Sequence, residues 1–344
     1  MRRLYLQDPL NADALTLLNE WQARMDTPPV SGDALWAVVD GAVLGGAGAE
    51  AMAEVYGTPV VAFHGTHLAD YEELGILVWP LARMVERDGL NTLGRAVGAA
   101  PCLSVVRGGA DADALCRTLT WLAGAATEDG MSLYLRIADT RVLASFLRHI
   151  TSEQRSVLRQ SVREWVLADR SGALSRGFAR DESADSLIDF TGAGLVLDKA
   201  QYAALMQDSE PDMLHAQLKL SLPHLDVPHP SAKMHEWFGT VLGRAKAIGL
   251  TSPADHVAFA GLALRATGEF EAAPELAETW FKAKSSACSL NDAIGKWGLP
   301  QWQALERFVK SGANAGRTEA DKPPAATPPH TPVPQQETRK RFPC

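Results

Sequence analysis

The chain has 344 residues and a mass of 37.0 kDa, which suits one large domain or two of ordinary size. Its formal net charge of -8 and pI near 5.6 argue against a nucleic-acid-binding protein, because such proteins gain affinity mostly from cationic contacts with phosphate. The chain shows neither an apolar signal-peptide core nor a stretch of ~18 consecutive apolar residues, so we expect a cytoplasmic protein without a membrane span.

The cysteines give the same expectation about the compartment. None of the four has a partner at C-x-x-C spacing, so they predict neither a zinc site nor a disulfide framework. Scattered single cysteines are typical of proteins from a reducing cytoplasm. The residues are Cys102, Cys116, Cys288 and Cys344.

The first third of the chain alternates between helix-like and strand-like segments. Residues 11–25 predict an amphipathic helix, and Trp36–Asp40 is an unbroken apolar run, typical of a strand buried on both faces. Repeated alternation with short links favours a mostly parallel or mixed sheet with helices on its faces. Further helices are predicted at 47–56, 68–74, 91–97 and 111–125, and further strands at 59–64, 76–79 and 102–106.

The stretch 131–170 predicts a strand followed by two helices. Leu133, Leu135 and Ile137 alternate with polar residues, which is the period of a strand. Thr151 followed by Gln154 is a capping box that begins the second helix. That helix is predicted to continue through Trp165, which lies at helical spacing from the apolar residues before it.

After residue 170 the pattern changes. Residues 171–197 predict a connecting segment, in which 190–197 is either an edge strand or a structured linker. From Asp198, a predicted helix cap, the chain is expected to be entirely helical. One helix is predicted to carry Tyr202, Leu205 and Met206, a second to end before Pro223, and a later one to begin at Ser252. The sequence therefore predicts an α/β lobe over 1–170, the connecting segment 171–197, a helical lobe over 198–311 and a disordered Pro-rich tail over 312–344.

Two motifs raise the question of a cofactor or a metal. Residues 46–51, from Gly46 to Ala51, match the G-x-G-x-x-A pattern of dinucleotide-binding turns, although they lie far past the preceding strand. His64 and His67 with Asp70 have metal-like residue types, but they span a glycine and lack a fourth ligand. We expect neither cofactor nor metal, and keep open a small-molecule or nucleotide-binding enzyme that uses the Gly46–Ala51 turn.

A compact charged cluster follows the predicted strand at 133–137. Arg136, Asp139 and Arg141 place two guanidinium groups around one carboxylate. Such groups near a buried strand end pair with each other or with backbone atoms, so a structural clamp is the leading interpretation. A contact with a partner protein is the second, and a catalytic role in the enzyme alternative is the third.

The helical half contains four tryptophans. Most tryptophans lie in cores, but aromatic residues are also favoured anchors at interfaces. These residues are either core residues or the lining of a groove, and they are Trp237, Trp280, Trp297 and Trp302.

Several blocks of the sequence resemble the conserved domain of type VI secretion effector chaperones, also called adaptor proteins (Tap or Tec proteins). The most specific block is LRIADTRVL, residues 135–143, in which Thr140 replaces the proline usual in the family. The resemblance also rests on WAVVDGA, on Phe63–Thr66, on LVWPL and on LDKAQYAAL, residues 197–205. The motif residues it marks as structural or partner-binding are Trp36, Asp40, Arg136, Asp139, Arg141 and Trp165.

The resemblance implies a non-enzymatic adaptor without catalytic residues. Such proteins bind a cognate toxic effector in the producing cell and help to load it onto the VgrG spike, sometimes with a PAAR-type tip. A shared α/β lobe and a variable helical lobe for the effector would fit such a task, and the four tryptophans are then the candidate lining of an effector groove.

Overall fold

The computed structural model describes residues 6–11, 16, 32–81, 97, 100–179, 194–223, 231–266 and 268–314. The predicted helix at 11–25 and the predicted helix at 91–97 lie almost entirely outside the described residues. The predicted tail lies outside them from residue 315 onward. Among the described residues, no helix is both long enough and apolar enough to cross a membrane.

A six-stranded sheet forms the first part of the fold. Its strands are β1 (Asp33–Asp40), β2 (Val60–Val61), β3 (Ile76–Pro80), β4 (Leu103–Gly109), β7 (Val162–Ala168) and β8 (Leu174–Ala179). Their spatial order is β2-β3-β1-β4-β7-β8, and every pair of neighbours is antiparallel. The expected parallel or mixed strand direction is therefore wrong for this sheet. A strand buried on both faces is apolar throughout whichever way its neighbours run, so its sequence does not report direction.

Strand β1 lies at the centre of the sheet and separates two hydrophobic cores. Trp36 and Val38 belong to the core on one face, whereas Ala37 and Val39 belong to the core on the other. The alternation follows from the period of two in a β-strand. Covering both faces requires helices on each side: α1 (Gly41–Tyr56), α2 (Ala112–Ala123), α3 (Thr140–His149) and α4 (Ser152–Ser161).

The stretch 131–170 differs from its prediction at its end. The capping box of Thr151 and Gln154 does begin α4, but that helix ends at Ser161 and the chain continues as β7. Trp165 therefore lies in the sheet, fully buried, where its Nε1–H donates to Ser104 Oγ at 2.9 Å. The helical spacing of Val162 and Trp165 was misleading because the continuous apolar run that follows belongs to a buried strand.

A second, three-stranded sheet contains the mixed strand directions. Its order is β6-β5-β9, with β5 antiparallel to β6 and parallel to β9. Strand β9 lies within 190–197, so the edge-strand alternative is the one observed there. Strand β8 also lies in the predicted connecting segment, yet it is an edge of the large sheet. The strands are β5 (Gly124–Thr127), β6 (Ser132–Tyr134) and β9 (Leu195–Leu197).

The described residues after β9 are helical, as the sequence predicts. The longest helix, α5 (Lys199–Ser221), is continuous through Pro211, where the sequence predicts two helices. It packs against helices of both parts of the molecule, and this tertiary packing outweighs the local preference of proline to interrupt a helix. The others are α6 (Ala232–Ala247), α7 (Pro253–Arg265), α8 (Ala277–Lys284), α9 (Leu290–Gly295) and α10 (Leu299–Asn314).

We call residues 32–197 the sheet region and residues 198–314 the helical region. The predicted fold class, an α/β part followed by an all-α part, is confirmed.

Candidate functional site at the junction of the two regions

Asp40, the last residue of β1, joins three parts of the sheet region. Its side chain caps α1 by accepting from the N–H of Val43 at 3.0 Å, and it accepts from Arg136 Nη2 at 2.8 Å. The carboxyl group is buried, and burial raises the pKa of Asp40 although Arg136 opposes the shift. The pair thereby joins the WAVVDGA block to the LRIADTRVL block.

Asp139 and Arg141 form a separate pair beside it. Asp139 caps α3 through the N–H of Arg141 at 3.0 Å and also receives its guanidinium, with Nε at 3.0 Å and Nη2 at 2.7 Å. This two-point contact is the strongest geometry for an Arg–carboxylate pair. The predicted three-residue cluster is therefore two ion pairs, because Arg136 donates to Asp40 and Arg141 to Asp139.

Arg141 continues across the junction to the helical region. Its Nη1 donates to Asp212 Oδ1 at 2.9 Å, on α5, and Arg170 Nη2 donates to Asp212 Oδ2 at 2.6 Å. Arg170 Nη1 also donates to the carbonyl of Leu6 at 3.0 Å. Burial would raise the pKa of Asp212, but the hydrogen bond and charge of Arg170, with the charge of Arg141, bring it below its ordinary value.

Two helix caps meet at a second point of the junction. Gln154 of α4 and Gln201 of α5 each complete a capping box, and their side-chain amides also bond each other, with N···O distances of 3.2 and 2.7 Å. Gln154 Nε2 donates further to the carbonyl of Val196, and Gln201 Nε2 donates to that of His149, both at 2.8 Å. Both side chains are buried, so this amide pair fixes the starts of the two helices relative to each other.

Half of this site gives no recognisable signal in the sequence. The residues Arg136, Asp139 and Arg141 form a visible cluster there, but Asp212 and Arg170 do not. Asp212 lies in a helix of mixed composition, where a single acidic residue is typical of a solvated surface. The LDKAQYAAL block contains Gln201, and the capping pattern of Asp198 and Gln201 was a usable signal for its role.

Residues Gly46–Ala51 lie in α1, after its first turn and directly past a kink at Gly45, where φ is 75°. A dinucleotide turn of this type instead joins the end of a strand directly to a helix, whereas here the first turn of α1 lies between β1 and Gly46. The side chain of Asp40 caps that first turn. The enzyme alternative that uses this segment stays a prediction.

The histidines near residue 64 lie on a turn between β2 and a short 3-10 helix, Ala69–Leu74. Thr66 stabilises that turn, since its Oγ1 accepts from the N–H of Leu68 at 3.1 Å. The part of the chain that the structure describes contains no group of three His, Cys, Asp or Glu residues arranged to hold a metal ion.

The structure divides the four tryptophans into two kinds. Trp237 and Trp280 are 7% and 6% exposed and belong to the core of the helical region, so neither lines a surface groove. Trp302 is 38% exposed and meets Trp297 edge-on at 4.9 Å. Trp297 in turn donates to Thr279 Oγ1 at 2.9 Å. The partly exposed members of the set are therefore Trp297 and Trp302, and a role of the tryptophans in holding an effector stays a prediction.

The comparison with known families bears on the junction directly. Residues 35–157 match a family model described as a domain of unknown function, DUF4123. This domain is known in type VI secretion effector adaptors. The DUF4123 match begins in β1 and ends in α4, so it includes both ion pairs and Gln154, but not Arg170, Asp212 or Gln201. No curated protein and no solved structure matches the chain.

The Asp40–Arg136 pair allows a test of the structural interpretation. Replacing Arg136 with alanine leaves a buried carboxylate without its cation, and we expect the free energy of unfolding at pH 7 to fall by about 2–3 kcal/mol. The difference in free energy of unfolding between the wild type and Arg136→Ala should become smaller as the pH falls, because the buried carboxyl group of Asp40 then binds a proton. Urea denaturation measures both effects.

The double variant Asp40→Asn/Arg136→Ala is the matched control. Asparagine keeps the helix cap and removes the charge, so this variant should be more stable than Arg136→Ala alone. A stable Arg136→Ala variant that no longer binds a partner would instead identify Arg136 as a contact residue.

His215 predicts a second pH effect. It is buried in the helical core, 5.4 Å from the ring of Phe238, and burial lowers its pKa to about 4 from 6.5, with the charge of Lys219 adding to the shift. The unfolded chain binds a proton below pH 6.5 and the folded chain does not, so stability should decrease from pH 6.5 toward pH 4, by about 2 kcal/mol. In His215→Leu that part of the urea-denaturation profile should flatten. Parallel profiles for the two proteins would contradict the prediction.

Proposed function

We propose that this protein is an effector-specific adaptor that binds a cognate type VI secretion toxin in the cytoplasm of the producing cell and helps to load it onto the VgrG spike. The observation that carries the proposal is the DUF4123 match over residues 35–157. In this proposal the protein acts by binding, without catalysis and without a cofactor, and a PAAR-type tip protein is an additional partner.

The geometry of the junction supports a binding role for the molecule. The charged groups of the family motif form ion pairs within the chain. Arg136 pairs with Asp40, and Arg141 pairs with Asp139 and with Asp212 of α5. A catalytic acid or base needs access to a substrate. Here the carboxylates of Asp40 and Asp139 are buried and occupied as helix caps. Their arrangement suits the rigid connection of a sheet region to a helical region.

The test is purification of the tagged full-length chain from its native cell under secretion-active conditions. We expect recovery of one toxin together with a spike component, both identified by mass spectrometry. Recovery of neither protein would overturn the proposal. A saturable thermal shift with NAD or ATP would support the enzyme alternative, whereas an adaptor should show none.

A further inference from the structure

Helix α5 exposes a row of large apolar side chains. Met206, Met213 and Leu220 are 43%, 46% and 80% exposed, and they lie seven residues apart. Seven residues make almost two turns of an α-helix, so the three side chains lie on one face at steps of about 10 Å. We call these three residues the α5 row.

The opposite side of α5 already packs against the rest of the chain. Leu214, His215 and Leu218 are buried against the helical region, while Asp212 accepts the two arginines of the junction. An ordinary surface helix has one apolar face toward the core and a charged face toward water. Helix α5 departs from this pattern, because its solvent-facing side also carries large apolar residues.

The surroundings of the α5 row carry little charge. The residues that share this face are Lys199, Tyr202, Ala203, Ser209, Glu210, Ala216 and Gln217. Lys199 lies at the start of the helix, two seven-residue steps before Met213. The charged residue beside Met213 is Glu210, which forms an ion pair with Lys246 of α6. The hydroxyl of Ser209 donates back to the carbonyl of Met206 at 2.7 Å, so it too is satisfied within the chain. Depletion of charge and enrichment in methionine are features of the core of a protein interface.

We propose that the α5 row is the docking site for an amphipathic α-helix of the cargo protein, with apolar residues repeating every seven positions and no charge facing Met213. This inference rests on the proposed adaptor function. A seven-residue repeat on one face is the pattern of helix-on-helix packing, whereas a docked β-strand would present side chains every second residue. Beside Met213, a charged partner residue would lose hydration without gaining a free charge to pair with, because Glu210 is already paired with Lys246.

The exposed area argues against a second copy of this chain as the occupant. The three side chains expose on the order of 300 Å², while a stable interface buries ~800 Å² on each partner. The row alone is too small to hold two copies together. It suits a helix that belongs to a protein held by further contacts elsewhere, as a bound cargo is.

Photo-crosslinking in the native cell tests the proposal. Benzoylphenylalanine is placed at position 206, 213 or 220 of the tagged full-length chain, and the crosslinked peptides are sequenced by mass spectrometry. We expect all three positions to mark one helical segment of the cargo, at partner residues that shift by about seven from one position to the next. Crosslinks to a second copy, to another part of the same chain, to partner residues without that spacing, or to no protein would each overturn the inference.

Substitutions give an independent readout. Met213→Glu should lower the amount of co-purified cargo by about tenfold or more, since it places an unpaired charge in the contact. Phe281→Glu is the matched control, because Phe281 is 71% exposed on α8 and lies outside the row. Unchanged recovery with Met213→Glu would overturn the docking site while the adaptor function stands. Failure of the unmodified chain to recover any cargo would overturn both.

Discussion

Replacing Asp212 with alanine is expected to lower the free energy of unfolding by about 3 kcal/mol at pH 7, because it leaves two partly buried arginines without their shared carboxylate. Arg141 and Arg170 both donate to Asp212, and their side chains are 19% and 23% exposed. Water therefore replaces the lost partner only in part. Chemical denaturation of the full chain, followed by fluorescence and by circular dichroism, measures the loss.

The loss of stability in Asp212→Ala should also depend on pH. The pKa of Asp212 is lower in the folded chain than in the unfolded one, so its contribution is present above about pH 4 and is lost as the pH falls through the folded pKa. The difference between the wild type and Asp212→Ala should therefore shrink in acid.

Glu210→Ala provides the comparison on the same helix. Glu210 pairs with Lys246, and both side chains are about a third exposed or more. Surface pairs of this kind contribute about 0–1 kcal/mol. If Asp212→Ala costs no more than Glu210→Ala, the charged network does not hold the two regions together.

Replacing Gln201 with alanine is the second change with a large expected effect, about 2–3 kcal/mol. It removes the capping-box partner of Asp198 and the side-chain donor to the carbonyl of His149, and it takes from the buried amide of Gln154 one of its hydrogen-bond partners. A buried polar group that loses its partner costs about 1–3 kcal/mol. Urea denaturation at pH 7 measures the change.

A double-mutant cycle isolates the contact between the two amides. Gln154→Ala and Gln201→Ala should each destabilise the protein, and the double variant should cost less than the sum by about 1–2 kcal/mol, since each single change already breaks the same contact between the two amides. Glu153→Ala changes the exposed neighbour of Gln154 on α4 and should cost clearly less than either glutamine variant. Additive losses would mean that the two caps act independently.

Local signals in the sequence predict the local features of this fold well. The capping box of Thr151 with Gln154 and the helix cap at Asp198 depend only on residues within one helical turn, and both are present. The Ser252 start of α7 is confirmed for the same reason. The prediction failed where a local pattern has two solutions: Val162 and Trp165 fit a helix by spacing, and the decision for a strand comes from pairing with β4.

In the candidate site, too, the sequence predicts the local features but not the contacts between distant residues. The sequence marks Arg136, Asp139 and Arg141, because two arginines around an acid after a strand are unusual. It does not show which cation serves which carboxylate, since the deciding partners, Asp40 and Asp212, are 96 and 71 residues away from the arginines they bind. Pairing over such separations depends on where the elements pack.

By itself, the sequence determined the order of the two regions and the starts of the capped helices. It also carries the family resemblance, which agrees with the DUF4123 match over residues 35–157. These depend on composition, on short spacings and on the residues of single elements. Only the tertiary structure decided that the large sheet is antiparallel, that β8 belongs to it and that α5 passes unbroken through Pro211. It also decided that Asp212 and Gln201 join the two regions. Such features arise from contacts between distant residues, whose free energy outweighs the weak local preferences that a sequence pattern reports.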